Sequence, residues 1–239
     1  MNLTPSASRE YAQAVLAHCN SAKDTSVWVA PSVVALSAVA QVFSDSTVST
    51  GSQNIHWAES GAFTGELAPA SLKELGVTWA LAGHSERRSL FAEDSNLVAK
   101  RVNGAATYGI TPVLCVGETE QEREENRTSA VLASQLLPVL TTLPESSRGS
   151  LVIAYEPVWA IGTGKVATTA EVRDAHAYIK GYCLENGFTI APPVLYGGSV
   201  NPSNYAEIVA TEGVDGALVG GASLKIEQWL ELLRISESA

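Results

Sequence analysis

The sequence predicts an α/β fold built on a parallel sheet, and three observations carry that prediction. Short β-rich runs alternate with longer helical patterns along the whole chain. The short runs are mostly continuous in apolar residues, as strands covered on both faces are. The linkers are short, with no tandem repeat, low-complexity segment or composition break, so residues 1–239 read as one domain. A chain of 239 residues, 46% of them hydrophobic, has ample material for one substantial core.

The first element is a helix, over Pro5–Ala22. Thr4 or Asn2 suits its N-cap, and Pro5 suits the first helical position, where its missing N–H was an orphan anyway. Strand Ser26–Ala30 follows, then helix Val33–Phe43, strand Val48–Ser52, helix Pro69–Leu75 and strand Trp79–Ala82. Helix Ser95–Tyr108 places Leu97, Val98, Val102, Ala105 and Ala106 on one face. Strand Thr111–Val116 leads into a long helix over Glu120–Leu143. Strand Leu151–Tyr155, helix Thr169–Asn186, strand Pro193–Tyr196, helix Pro202–Ala210, strand Ala217–Val219 and helix Ile226–Leu233 complete the series. The tally is seven strands and eight helices, beginning with a helix. A closed parallel (β/α) barrel has eight strands, each followed by a helix. The alternative is an open doubly wound sheet, which accepts seven strands, but no G-x-G-x-x-G follows an early strand here.

Composition removes several function classes. The formal net charge of -10 repels nucleic acid and anionic membranes, so neither is an expected partner. A phosphorylated substrate would need locally placed donors. No apolar run reaches the ~18 residues of a membrane span, and no basic stretch followed by an apolar core marks a signal peptide. Cys19, Cys115 and Cys183 are widely spaced and form no C-x-x-C. Such a set points to buried thiols in a reducing, cytoplasmic setting, not to a disulfide framework or a zinc site.

The chemistry concentrates at the ends of strands. In Ala154-Tyr155-Glu156-Pro157-Val158-Trp159-Ala160-Ile161-Gly162-Thr163-Gly164-Lys165, Glu156 stands at the C-terminal end of a strand, where barrels place their chemistry. A partly buried carboxylate there can act as a general base. Pro157, Gly162 and Gly164 bracket a loop able to move as a lid. Taken alone, the same stretch also reads as a strand-to-helix turn with a capping acid. In Ala82-Gly83-His84-Ser85-Glu86-Arg87-Arg88, His84 also follows a strand, and a neutral imidazole at a helix N-terminus can polarise a carbonyl. Alone, His84 also reads as a structural histidine. Glu86, Arg87 and Arg88 read as an ion-pair network under the site or as a solvated turn. Two glycine turns, Tyr196-Gly197-Gly198-Ser199-Val200-Asn201 and Val219-Gly220-Gly221-Ala222-Ser223, follow the last two strands. In a barrel the loops there usually hold phosphate through backbone N–H groups.

These pieces, with Gly61-Ala62-Phe63-Thr64-Gly65-Glu66 and Cys115-Val116-Gly117-Glu118, resemble the triosephosphate isomerase family in order and spacing over nearly the whole chain. The resemblance implies a TIM (β/α)8-type barrel that interconverts dihydroxyacetone phosphate and glyceraldehyde 3-phosphate. It implies that Glu156 is the base and His84 the neutral electrophile. Pro157–Lys165 becomes the lid, and Gly162, Ser199, Gly220 and Gly221 the phosphate cradle. Glu86 takes the place of the family's acidic partner to a catalytic ammonium, and Cys115 is a packing thiol. A small phosphorylated triose is the implied substrate, no metal or organic cofactor is implied, and the default assembly is a homodimer formed by the Gly61–Glu66 loop.

The family begins with a strand ending in Asn-x-Lys, and Met1-Asn2 aligns just past that Lys. The expectation is therefore a barrel without its first strand, whether by natural loss, wrong start codon or truncation. Its seam lies between Ser26–Ala30 and Ala217–Val219, the docking region for the dimer loop is incomplete, and catalysis is strongly impaired. The competing expectation is a catalytically inactive barrel that binds phosphorylated ligands or serves as an interaction protein. A third reading is a related barrel isomerase with another phosphorylated substrate, against which the intact lid and His84 segment argue.

Overall fold

A computed structural model describes residues 2–19 and 25–238. Helix α1 (Pro5–Cys19) precedes β1 (Trp28–Val29), α2 (Leu36–Phe43), β2 (Ser49–Ser52), α3 (Pro69–Glu74) and β3 (Trp79–Ala82). Then come α4 (Ser85–Leu90), α5 (Ser95–Thr107), β4 (Thr111–Val116), α6 (Glu120–Glu124), α7 (Thr128–Thr142) and β5 (Val152–Tyr155). The chain finishes with α8 (Thr169–Glu185), β6 (Val194–Tyr196), α9 (Tyr205–Val209), β7 (Gly216–Ala217) and α10 (Ile226–Ser238).

The seven strands pair in parallel and in chain order, from β1 to β7. Among the described residues, β1 and β7 have one strand neighbour each. Alternate residues of β4 show why the runs are apolar throughout. Val113 and Cys115 join Trp79, Leu81, Val152 and Ala154 on one face, with Trp28, Leu195 and Leu218 against them. Leu114 and Val116 face the helices, packing with Val98, Leu132 and Leu136. Both faces are dry, so neither needs polar alternation. The helical layer closes where the strands do not pair. Ala12 and Val15 of α1 share a core with Val39 and Phe43 of α2 and Leu233 of α10. The Tyr11 hydroxyl donates to Ser223 O at 2.6 Å just before α10. This arrangement of strand and helix in alternation is the TIM-type α/β fold with seven strands.

Several element bounds differ from the sequence expectation. The long helix Glu120–Leu143 is two helices, α6 and α7. Asn126 between them has φ +55°, a left-handed backbone that asparagine tolerates and a helix interior does not. Thr119 starts α6 with a capping box to Glu122. The residues after His84 form a short helix, α4, and not merely a turn. The described residues therefore hold ten α-helices, not eight. The first and last strands are two residues long, because each hydrogen-bonds on one side only. Val33–Phe43 begins as a 3-10 turn, and Pro202–Ala210 becomes helical only at Tyr205. Positions 20–22 of the first expected helix lie outside the described residues. No described helix is long and apolar enough to cross a membrane.

Candidate active site

Glu156 is placed by strand pairing and by two glycines. Its N–H donates to Val116 O at 2.7 Å, one step past β5, and Gly197 N–H donates to Tyr155 O at 2.7 Å. A Cβ at Gly117 would stand 1.7 Å from the Glu156 carbonyl oxygen, and one at Gly197 would stand 2.9 Å from Glu156 Cγ. Glycine at 117 leaves room for the Glu156 backbone, and glycine at 197 for its side chain. Gln135 of α7 fixes Gly117 from outside, accepting its N–H at 2.8 Å and donating to its carbonyl at 3.0 Å. The Glu156 side chain is 2% exposed. Its Oε2 accepts the Ser85 N–H at 2.9 Å, and its Oε1 lies 3.0 Å from His84 Nε2.

His84 caps α4. Its Nδ1 accepts the Glu86 N–H at 3.3 Å, which requires a lone pair at Nδ1 and puts the ring proton on Nε2, facing Glu156. Arg88 braces the turn, donating to Gly83 O at 2.8 Å and to Cys115 O at 3.1 Å, so the ends of β3 and β4 are tied together. Burial pulls the imidazole pKa down, but the Glu156 hydrogen bond and the Glu156 and Glu86 charges outweigh it, and the net shift is upward. Cys115 is fully buried, and burial, then the Glu156 charge, pushes its thiol well up, so it is an inert packing group here.

Of the two readings of Glu86, Arg87 and Arg88, a mutual ion-pair network is not seen among the described residues. Glu86 is exposed, and its carboxylate lies 3.8 Å from His84 Nδ1. Arg88 serves backbone carbonyls and Ser95 Oγ. Arg87 pairs with buried Glu93, which also pairs with buried Arg101 at 2.9 Å. Arg101 then holds Glu66 by two bonds, of 2.8 and 3.0 Å, and Ile55 O at 2.6 Å. This chain of charges joins the Gly61–Glu66 loop to the His84 turn. A signal for Arg101 existed: it stands three residues after Val98 and four before Ala105, on the apolar face of its helix. Glu93 gave none, since its partners are set by the fold.

The segment after Glu156 starts rigidly and ends in the open. Trp159 is buried, and its indole N–H donates to Glu118 at 2.8 Å. The Tyr155 hydroxyl lies 3.1 and 3.2 Å from the two Glu118 carboxylate oxygens. Burial raises the Glu118 carboxyl pKa, against the opposing effect of Trp159 and Tyr155. Gly162 and Gly164 have φ +68° and +81°, with open space beside both. Ser199 Oγ donates to Ala160 O at 2.5 Å, so the turn after β6 touches the base of this segment. Gly220 and Gly221 open the 3-10 turn that follows β7, exposed and with nothing beside them. The structure thus brings Glu156, His84 and the Ser199 turn together. Gly162, Gly220 and Gly221 stand at the same end of the sheet, with their backbone open to solvent. Among the described residues, no group of three or more His, Cys, Asp or Glu side chains has the arrangement of a metal site.

A family model described as triosephosphate isomerase matches residues 1–236. The chain is 48% identical over 215 residues to a protein of Magnetococcus marinus named triosephosphate isomerase, covering 88% of this chain and 84% of that one. A Colwellia psychrerythraea protein of the same name is 47% identical over 184 residues, or 76% and 72% of the two chains. A third, from Carboxydothermus hydrogenoformans, is 43% identical over 221 residues, or 90% and 88%.

Proposed function

The chain belongs to the triosephosphate isomerase family, and on that premise we propose that it interconverts dihydroxyacetone phosphate and glyceraldehyde 3-phosphate, with Glu156 as the base. The observation that carries this reading is a buried carboxylate at the end of β5 facing a histidine N–H at 3.0 Å, in front of a glycine-bounded loop. The substrate oxygen takes the Nε2–H of His84, and the Glu156 carboxylate is released toward the adjacent carbon. It removes a proton there to give an enediolate; the hydroxyl proton passes from one substrate oxygen to the other beside His84, and Glu156 returns the carbon-derived proton to the neighbouring carbon. The Glu86 N–H bond to Nδ1 favours the neutral ring with its proton on Nε2. Residues Pro157–Lys165 act as the lid that excludes water. The backbone N–H groups of Gly162, Ser199, Gly220 and Gly221 cradle the phosphate, and Glu86 supports the His84 turn from outside.

Turnover of the 239-residue chain is strongly reduced in this reading. Among the described residues no lysine pairs with Glu156 or His84, while Lys165 and Lys180 are engaged by Glu120 and Asp215. Loss of a preorganised charge beside the reacting oxygens costs about two to three orders of magnitude in rate. The same observation favours the second reading, a barrel that binds phosphorylated ligands without turning them over. A homodimer formed through the Gly61–Glu66 loop remains the proposed assembly. His56 and Phe63 pack ring to ring at 4.1 Å, and Arg101 fastens the loop base. The buried, free Cys19, Cys115 and Cys183 support a reducing cytoplasm. The test is isomerase turnover of the purified chain against Glu156→Gln. Turnover at least ~100-fold above the variant supports the enzyme. No difference between them, with both binding inorganic phosphate equally, supports the binding shell instead.

A further inference from the structure

Helix α6 touches the segment 157–165 and its flanks at three points, although the mechanism above assigns that helix no part. Arg123 lies with its guanidinium carbon 3.7 Å from the centroid of the Trp159 ring, at the start of the segment. The same guanidinium pairs with Glu171, just beyond the segment's end. Glu171 is not free to drift, because it accepts the Thr168 N–H at 2.8 Å in the capping box that begins α8. One turn earlier on α6, Glu120 pairs with Lys165, the segment's last residue. A single side chain therefore bridges the start of the segment and the helix after it, and a neighbour on its own helix holds the segment's last residue. The Trp159 ring is fixed from two sides, by Arg123 over its face and by Glu118 at its N–H. Both ion pairs border an open cleft between α6, α7 and α8, so the contacts are reachable by solvent.

We infer that α6 is the dock of the lid: Arg123 is a positioning residue that grips both flanks, and Glu120 holds the lid's last residue, Lys165, in its present position. This rests on the reading of Pro157–Lys165 as a lid. Arginine suits the task, since its planar group stacks on indole and bonds a carboxylate at once. The Lys165 and Glu120 side chains are 53% and 51% exposed, so their pair is weak and sensitive to salt. Contacts made only with the lid in this position oppose ligand closure, and removing them shifts the population toward the closed form.

The experiment is limited trypsin digestion of the whole chain, following cleavage of the Lys165–Val166 bond by mass spectrometry, with inorganic phosphate affinity read from tryptophan fluorescence. Arg123→Leu should raise that cleavage at least ~5-fold, Arg123→Lys should restore part of the protection, and Glu120→Gln should raise it about 2-fold while tightening phosphate binding. Cleavage at the other sites should not change. Native Lys165 cleavage rates that persist in a folded Arg123→Leu, with phosphate affinity unchanged in Glu120→Gln, overturn the inference. Should Arg123→Leu fail to fold, the native chain decides. Raising salt to 0.5 M should speed cleavage after Lys165 in the native chain and not in Glu120→Gln; equal response in both overturns the inference. None of these readouts uses turnover. A chain without isomerase activity can still show the dock, and an active isomerase can still lack it.

Discussion

At the scale of residues, the site depends on groups that perform no chemistry. Gly117 lets two strand ends approach until a single added carbon would sit on the Glu156 carbonyl oxygen. Gly117→Ala should therefore destabilise the chain by about 3 kcal/mol or more, because the obstacle is backbone and cannot rotate away. Chemical denaturation checks this; an unchanged midpoint would mean that the strand ends separate freely. His176 makes a different prediction. Its ring is fully buried against Tyr155, with Nδ1 on Gly213 O, and burial lowers its pKa to about 4. The unfolded chain takes up this proton below about pH 6.5, while the folded chain does not until about pH 4. The unfolded state thus binds more protons in that window, and stability falls as pH falls through it, by roughly 3 kcal/mol in full. Unfolding free energies between pH 7 and pH 5 should show this slope, and His176→Gln should flatten it by about one proton.

At the scale of elements, the charges of Glu66, Arg87, Glu93 and Arg101 join the β2 loop, α4 and α5. Arg101 is 3% exposed and relies on two carboxylates, so Glu93→Gln leaves it under-compensated. A loss of about 3 to 5 kcal/mol is expected, with earlier exchange of amides in the Gly61–Glu66 loop. Stability equal to the native chain would show that Glu66 alone suffices. Much of this scale was legible in the sequence. Trp79–Ala82 and Thr111–Val116 end where their apolar runs end, since both faces are covered and the run is the strand. The outer strands were read too long, because apolar residues do not themselves supply a hydrogen-bonding neighbour. The break at Asn126 was missed, since periodicity continues through one left-handed residue. That Glu156 and His84 lie just past strand ends was legible, because each closely follows an apolar run. The Glu93–Arg101–Glu66 chain was not, because its members lie on three elements and meet only after folding.

At the scale of the whole molecule, the strand layer and the helix layer differ. The sheet ends at β1 and β7 among the described residues, while α10 and α1 pack together outside it. Backbone groups at the two outer strands are held from one side, those of β4 and β5 from both. Amides of Trp28–Val29 and Gly216–Ala217 should therefore exchange at least tenfold faster than those of Val113–Val116. Uniform protection across the seven strands would show that the outer two are covered. The proposed base and histidine lie on the well-held part, Glu156 after β5 and His84 after β3, whereas Gly220 and Gly221 follow the outer strand β7. The central claim is that the well-held part alone moves a proton at carbon. The most direct measurement is deuterium wash-in from heavy water into dihydroxyacetone phosphate, followed by NMR, for the native chain and Glu156→Gln. It registers proton transfer even where net turnover is slow. The account predicts exchange into the carbon-bound position beside the carbonyl with the native chain and at least ~100-fold less with the variant. Equal exchange in both, at the rate of buffer alone, would contradict it.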